Sequence, residues 1–121
     1  MSSATILVVE DDLANRELMV ELLEAQGYRV YQAGDARAAI ALARTERPNL
    51  ILMDLGLPGL DGMEATRRLK ADSVLRFIPI IVVTAHAYSE EPLARAAGCD
   101  AYLTKPINTP ELLDVATRLI S

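Results

Sequence analysis

The amino-acid sequence predicts an α/β fold: a doubly wound, parallel five-stranded sheet built as five strand–helix repeats, with strand order 2-1-3-4-5. Three observations lead there. Short apolar runs alternate with helical stretches five times along the 121 residues, which calls for parallel pairing and right-handed crossovers. Three of the runs are continuously apolar, as strands covered on both faces must be. The other two are shorter or more polar, which suits the sheet edges and gives the flavodoxin-like order.

The elements follow in sequence. Ala4 to Val9 is the first apolar run. Leu13 to Gln26 has helical spacing, with Leu18, Leu22 and Ala25 on one stripe, and Gly27 stops it. Tyr28 to Ala33 is a weaker strand. Asp35 caps a helix from Ala36 to Arg47, with Pro48 just beyond it. Asn49 to Met53 is the third strand. Leu60 to Ala71 is helical and is entered through a loop rich in Gly, Pro and Asp. Ile78 to Val83 is the fourth strand, where Pro79 is tolerable near the start. Glu90 to Ala97 is a short helix ended by Gly98, and Pro92 fits only its first turn. Ala101 to Leu103 is a brief fifth strand. Thr109 caps the last helix, with Pro110 at its first position.

Composition excludes several function classes. No run approaches the ~18 apolar residues of a membrane-spanning helix. The N-terminus lacks a basic segment leading into a long apolar stretch, so no signal peptide is expected and the chain is placed in the cytoplasm. A net charge of −5 argues against a nucleic-acid backbone as partner. The single cysteine, Cys99, excludes a disulfide framework and a multi-cysteine zinc site. The single histidine, His86, excludes a multi-histidine site. A metal here must use carboxylate oxygens, which favours magnesium, manganese or calcium. With no Trp, one Phe and four Tyr, the core must be aliphatic.

In sheets of this order the functional crevice lies beyond the carboxyl ends of the central strands. The first strand ends in Glu10-Asp11-Asp12, the third in Asp54 and the fourth in Thr84-Ala85. Lys105-Pro106 follows the fifth. Singly, each has a plainer role: Asp12 as a helix cap, Glu10 and Asp11 as solvated charges, Thr84 as a turn hydroxyl, Lys105 as a surface lysine. Together they crowd carboxylates beside one hydroxyl and one ammonium. Crowded carboxylates repel one another unless a cation offsets them. A divalent cation, a lysine and a hydroxyl suit a phosphoryl group. Asp54 is best placed to be a nucleophile and to carry an acyl phosphate.

On these residues the sequence resembles the receiver domain of two-component response regulators, the CheY-like superfamily. The matching stretches are Ile6 to Asp12, Leu52 to Gly62, Pro79 to Ala85 and Gly98 to Pro106. The spacings are 43 residues from Asp11 to Asp54 and 30 from Asp54 to Thr84. The likeness makes residues 1–121 one receiver with no room for an output domain, and it runs to single-domain regulators of the DivK type and to receivers of hybrid histidine kinases.

The resemblance implies roles. Asp54 would accept phosphate from a histidine kinase or a histidine phosphotransfer protein. Asp11 would bind Mg²⁺ directly, Glu10 through water, and the Gly56 carbonyl would be a further metal ligand. Lys105 would pair with a phosphoryl oxygen and its bond to Pro106 would be cis. Thr84 would hydrogen-bond the phosphoryl group, and Tyr102 would move into the space Thr84 vacates. That remodels the face of the fourth helix, fifth strand and fifth helix, where a target protein would dock. Gly56 and His86 would tune hydrolysis of the acyl phosphate. The resemblance thus implies a signalling switch that assists its own phosphorylation and dephosphorylation rather than an enzyme.

Two other readings remain open: a phosphotransfer intermediate or hybrid-kinase receiver, and a Mg²⁺-dependent phosphohydrolase. One departure stands out. Thr84 to Lys105 spans 21 residues, one fewer than is usual in that family, and the shortfall is expected in a loop at Ala87-Tyr88-Ser89.

Overall fold

Side chains alternate across a strand, and the first apolar run serves two cores at once. Leu7 and Val9 face one layer, Ile6 and Val8 the other, and all four are buried. The computed structural model describes residues 4–56, 61–85 and 87–120, and for 87–89 the backbone alone. Its strands are β1 (Thr5–Val9), β2 (Arg29–Ala33), β3 (Leu50–Asp54), β4 (Ile80–Thr84) and β5 (Ala101–Thr104). They pair in parallel in the order β2-β1-β3-β4-β5, as the contrast between apolar and polar runs requires. β1, β3 and β4 form the buried centre and β2 and β5 the edges.

The helices are α1 (Leu13–Ala25), α2 (Ala36–Glu46), α3 (Gly62–Ala71), α4 (Ala87–Ala97) and α5 (Thr109–Ile120). Residues of α2, α3 and α4 cover one face of the sheet and residues of α1 and α5 cover the other. A 3₁₀ turn at Leu75–Phe77, entered where Asp72 Oδ1 accepts the Val74 and Leu75 N–H groups, leads into β4.

Three local expectations need correction. In α1 the buried stripe is Met19, Val20 and Leu23, while Leu18 is 65% exposed and Ala25 faces solvent. Helix α4 starts at Ala87 rather than Glu90, so residues 87–89 are its first turn and not a loop, and Pro92 lies beyond that turn. Pro92 is tolerated there because its ring points to solvent, although it withholds one helical N–H. At α5 it is Asn108 that accepts the Glu111 N–H, at 3.0 Å, so Thr109 is the first helical residue and Pro110 the second. Asp12, Asp35 and Asp61 each cap a helix through a side-chain oxygen. Asp61 therefore starts α3 at Gly62; the expected start at Leu60 lies outside the described residues.

Two features fix the sheet ends. A Cβ on Gly62 would collide with the Asp54 carbonyl oxygen, so only glycine lets α3 begin this close to β3. At the opposite end, Lys70 Nζ donates to Asp100 Oδ2 at 2.8 Å and to the carbonyls of Arg76 and Ile78. Asp100 Oδ2 also accepts the Ile80 N–H at 2.8 Å, which clamps α3, the 3₁₀ turn and the start of β4 together.

Candidate functional site

Four of the five strands, β1, β3, β4 and β5, deliver a functional group to the same edge because parallel strands end together. Glu10 follows β1 and its N–H still pairs with the Ala33 carbonyl, at 3.0 Å. That pairing turns its side chain inward, where only 1% of the residue is exposed. Arg16 Nη1 donates to the Glu10 carbonyl at 3.1 Å and stays close over Gly34, where a Cβ would crowd it. Asp54 ends β3 and is 6% exposed; its Oδ1 accepts the Gly56 N–H at 3.0 Å. Thr84 ends β4 and Lys105 follows β5, tied by Lys105 N–H donating to the Thr84 carbonyl at 2.8 Å.

The side chains meet in an open crevice of about 340 Å³ lined by Glu10, Asp11, Asp54, Thr84, Glu90 and Lys105, among others. Lys105 Nζ donates to Glu10 Oε1 at 3.1 Å and to Asp54 Oδ2 at 3.4 Å. Burial alone would lower the lysine's affinity for its proton, but the hydrogen bond to Glu10 and the charges of Asp54 and Glu10 raise it. Glu10 shows the opposite balance. Burial first, then the hydrogen bond and charge of Asp54, push its carboxyl up to about 7 against the pull of Lys105. One ammonium therefore does not neutralise this crevice.

Glu10, Asp11 and Asp54 each present an oxygen within 4.8 Å of the others. An all-oxygen donor set with excess negative charge fits a hard divalent cation. Gly56 is exposed beside Asp54, with room for a Cβ at ordinary contact distance from Oδ1. The Lys105–Pro106 peptide is cis. Tyr102 lies half-buried on edge strand β5, packed against the core layer of α2, α3 and α4. Burial, followed by the charges of Glu90 and Glu91, raises its phenol above the ordinary range. Cys99 is half-buried against the same layer, and burial pushes its thiol up, as suits a packing residue. His86 lies outside the described residues.

The structure adds one residue that spacing does not mark. Thr84 Oγ1 donates to Glu90 Oε1 at 2.6 Å. Only the early start of α4 brings Glu90 over the end of β4, and a short apolar-poor helix start leaves little trace in sequence. A second concavity, about 580 Å³, runs between α1 and α5 past Leu18, Met19, Ile107 and Leu112 and shares Glu10 and Lys105 with the crevice. Among the described residues no helix is long and apolar enough to cross a membrane.

Comparison with known proteins agrees with this geometry. Residues 6–117 match the response regulator receiver domain family. The polar-differentiation response regulator DivK of Brucella anthropi is 43% identical over 111 residues, covering 91% of this chain and 90% of that protein. The receiver domain of a sensor histidine kinase from Pseudomonas aeruginosa superposes with a TM-score of 0.91 at 37% identity, covering 98% of each chain. That crystal structure holds a magnesium ion in its active-site cleft. A chemotaxis response regulator of Vibrio cholerae gives a TM-score of 0.90 at 30% identity over 98% of this chain and 99% of its own. With five parallel strands in this order and the acidic crevice at their carboxyl ends, the chain belongs to the response regulator receiver domain family of two-component signalling.

Proposed function

We propose that residues 1–121 act as one receiver, in the cytoplasm, whose phosphoacceptor is Asp54. The observation that carries this is the meeting of Asp54 with Lys105, Thr84 and two further carboxylates at one strand edge. Asp54 is the acid whose side chain lies between the Lys105 ammonium, which it shares with Glu10, and the Gly56 N–H, so it is held in place.

In the proposed reaction a carboxylate oxygen of Asp54 attacks the phosphorus of a phosphohistidine on a kinase or phosphotransfer protein. The P–N bond breaks, its electron pair returns to the imidazole, and an acyl phosphate forms. Lys105 supplies a positive charge to the phosphoryl oxygens, and the Thr84 hydroxyl supplies a hydrogen bond. Glu10, Asp11, Asp54 and the Gly56 carbonyl would hold Mg²⁺. When bound, that ion would neutralise charge developing on the transferred group.

Readout is proposed on the face of α4, β5 and α5. Leu93 on α4 is 55% exposed, and Tyr102 lies half-buried on edge strand β5. The 43% identity with DivK over 90% of its length supports a single-domain regulator. The similarity to a sensor kinase receiver supports the second reading, a phosphotransfer step within a hybrid system. Both readings give Asp54 the same chemistry. Incubation with acetyl phosphate and Mg²⁺, followed by intact mass, should show one phosphoryl adduct on the wild type and none on Asp54→Asn. Equal adducts on both would place the acceptor elsewhere.

A further inference from the structure

The Thr84 hydroxyl is already engaged in this structure, and by an anion. It donates to Glu90 Oε1 at 2.6 Å, a short, charge-assisted hydrogen bond. Thr84 is 1% exposed, so bulk water offers little alternative. A threonine hydroxyl has one proton to donate. To bind a phosphoryl oxygen on Asp54, Thr84 must withdraw that proton from Glu90.

We propose that Glu90 is a positioning residue that competes with the phosphoryl group for the Thr84 hydroxyl. It holds Thr84 in the unphosphorylated arrangement and ties the first turn of α4 to the end of β4. This inference rests on the reading of Thr84 as a phosphoryl ligand. When the hydroxyl changes acceptor, Glu90 loses its hold and the start of α4 is released. The charge of the same carboxylate also helps raise the Tyr102 phenol, after burial. Glu90 lines the crevice with Asp54 and Lys105, so the exchange needs no long-range relay. Phosphorylation would be linked to α4 through the transfer of a single hydrogen bond.

The test is titration of beryllofluoride, a phosphoryl analogue, with Mg²⁺ into the full chain by calorimetry. The chains are wild type, Thr84→Ala, Glu90→Ala, Glu90→Gln and the double variant Thr84→Ala/Glu90→Ala. Removing the competing acceptor should tighten binding about tenfold in Glu90→Ala. Glu90→Gln, which keeps an acceptor but not the charge, should fall between, and it serves if the alanine variant does not fold. Thr84→Ala should weaken binding, and in that background loss of Glu90 should bring no gain. Amide exchange at Glu91 and Leu93, whose N–H groups pair back to first-turn carbonyls of α4, should be faster in Glu90→Ala than in wild type. An equal gain with and without Thr84 would make Glu90 merely a nearby negative charge and would overturn the proposal. So would unchanged or weaker binding by Glu90→Ala. Unaltered binding by Thr84→Ala would instead defeat the underlying reading of Thr84.

Discussion

Glu10 illustrates how a site residue can oppose the stability of the fold that holds it. Its carboxyl titrates near 7 in the folded chain against 4.5 ordinarily, because it is buried beside Asp54. Between these two values the folded state holds a proton that the unfolded state has lost. Stability from this group is therefore present below the unfolded value and falls as pH rises through the folded one. We expect the melting temperature of the metal-free chain to show this loss between about pH 4.5 and 7 in calorimetry with a chelator. Glu10→Gln should abolish that component and melt about 4 °C or more higher at pH 8, while binding Mg²⁺ more weakly. The sequence nominates Glu10, Asp11, Asp54, Thr84 and Lys105 because each follows or ends an apolar run and the expected strand order brings those ends together. It does not disclose that Glu10 is buried or that Glu90 reaches Thr84. Those facts depend on where a turn carries a side chain and where a helix begins.

At the scale of elements, α4 departs furthest from its sequence pattern. A start at Glu90 would place Pro92 in the first turn, where its missing N–H costs nothing. The helix instead begins at Ala87 and takes the proline into its second turn, so the carbonyl four residues earlier, in the first turn, lacks its helical donor. Proline in a helix interior is about 3 kcal/mol less favourable than alanine. Pro92→Ala should therefore stiffen α4. Amide exchange at Arg95 and Ala96 should slow about tenfold or more, and the melting temperature should rise. Faster exchange at those amides would show that the proline instead supports the helix. Helix α1 shows a different limit of sequence reading. Leu18 with Leu22 and Met19 with Leu23 are both valid helical pairs, four residues apart. Packing against the sheet, which no local pattern encodes, selects Met19, Val20 and Leu23 for burial and leaves Leu18 beside the groove between α1 and α5.

For the molecule as a whole, strand order was the most legible property. Continuous burial needs continuous apolarity, and only β1, β3 and β4 have it. The chain's acidity is less uniform than its net charge of −5 suggests, since Glu10, Asp11 and Asp54 share one crevice. A ligand that binds only the folded state stabilises it by about 2.7 kcal/mol at one hundred times its dissociation constant. Saturating Mg²⁺ should accordingly raise the melting temperature of the wild type by several degrees, and Asp11→Asn should lose most of that rise. An equal rise in the variant would remove Asp11 from the metal site. The clamp at the far end of the sheet has a mechanical meaning. Lys70 and Asp100 pin the foot of β4 with hydrogen bonds that no ligand in the crevice can reach. At its head, Thr84 holds Glu90 by one exchangeable bond. With its foot held and β3 and β5 paired along its sides, β4 has its one exchangeable side-chain tie at the crevice end, so a change begun there passes to the helix attached at Thr84 rather than down the strand.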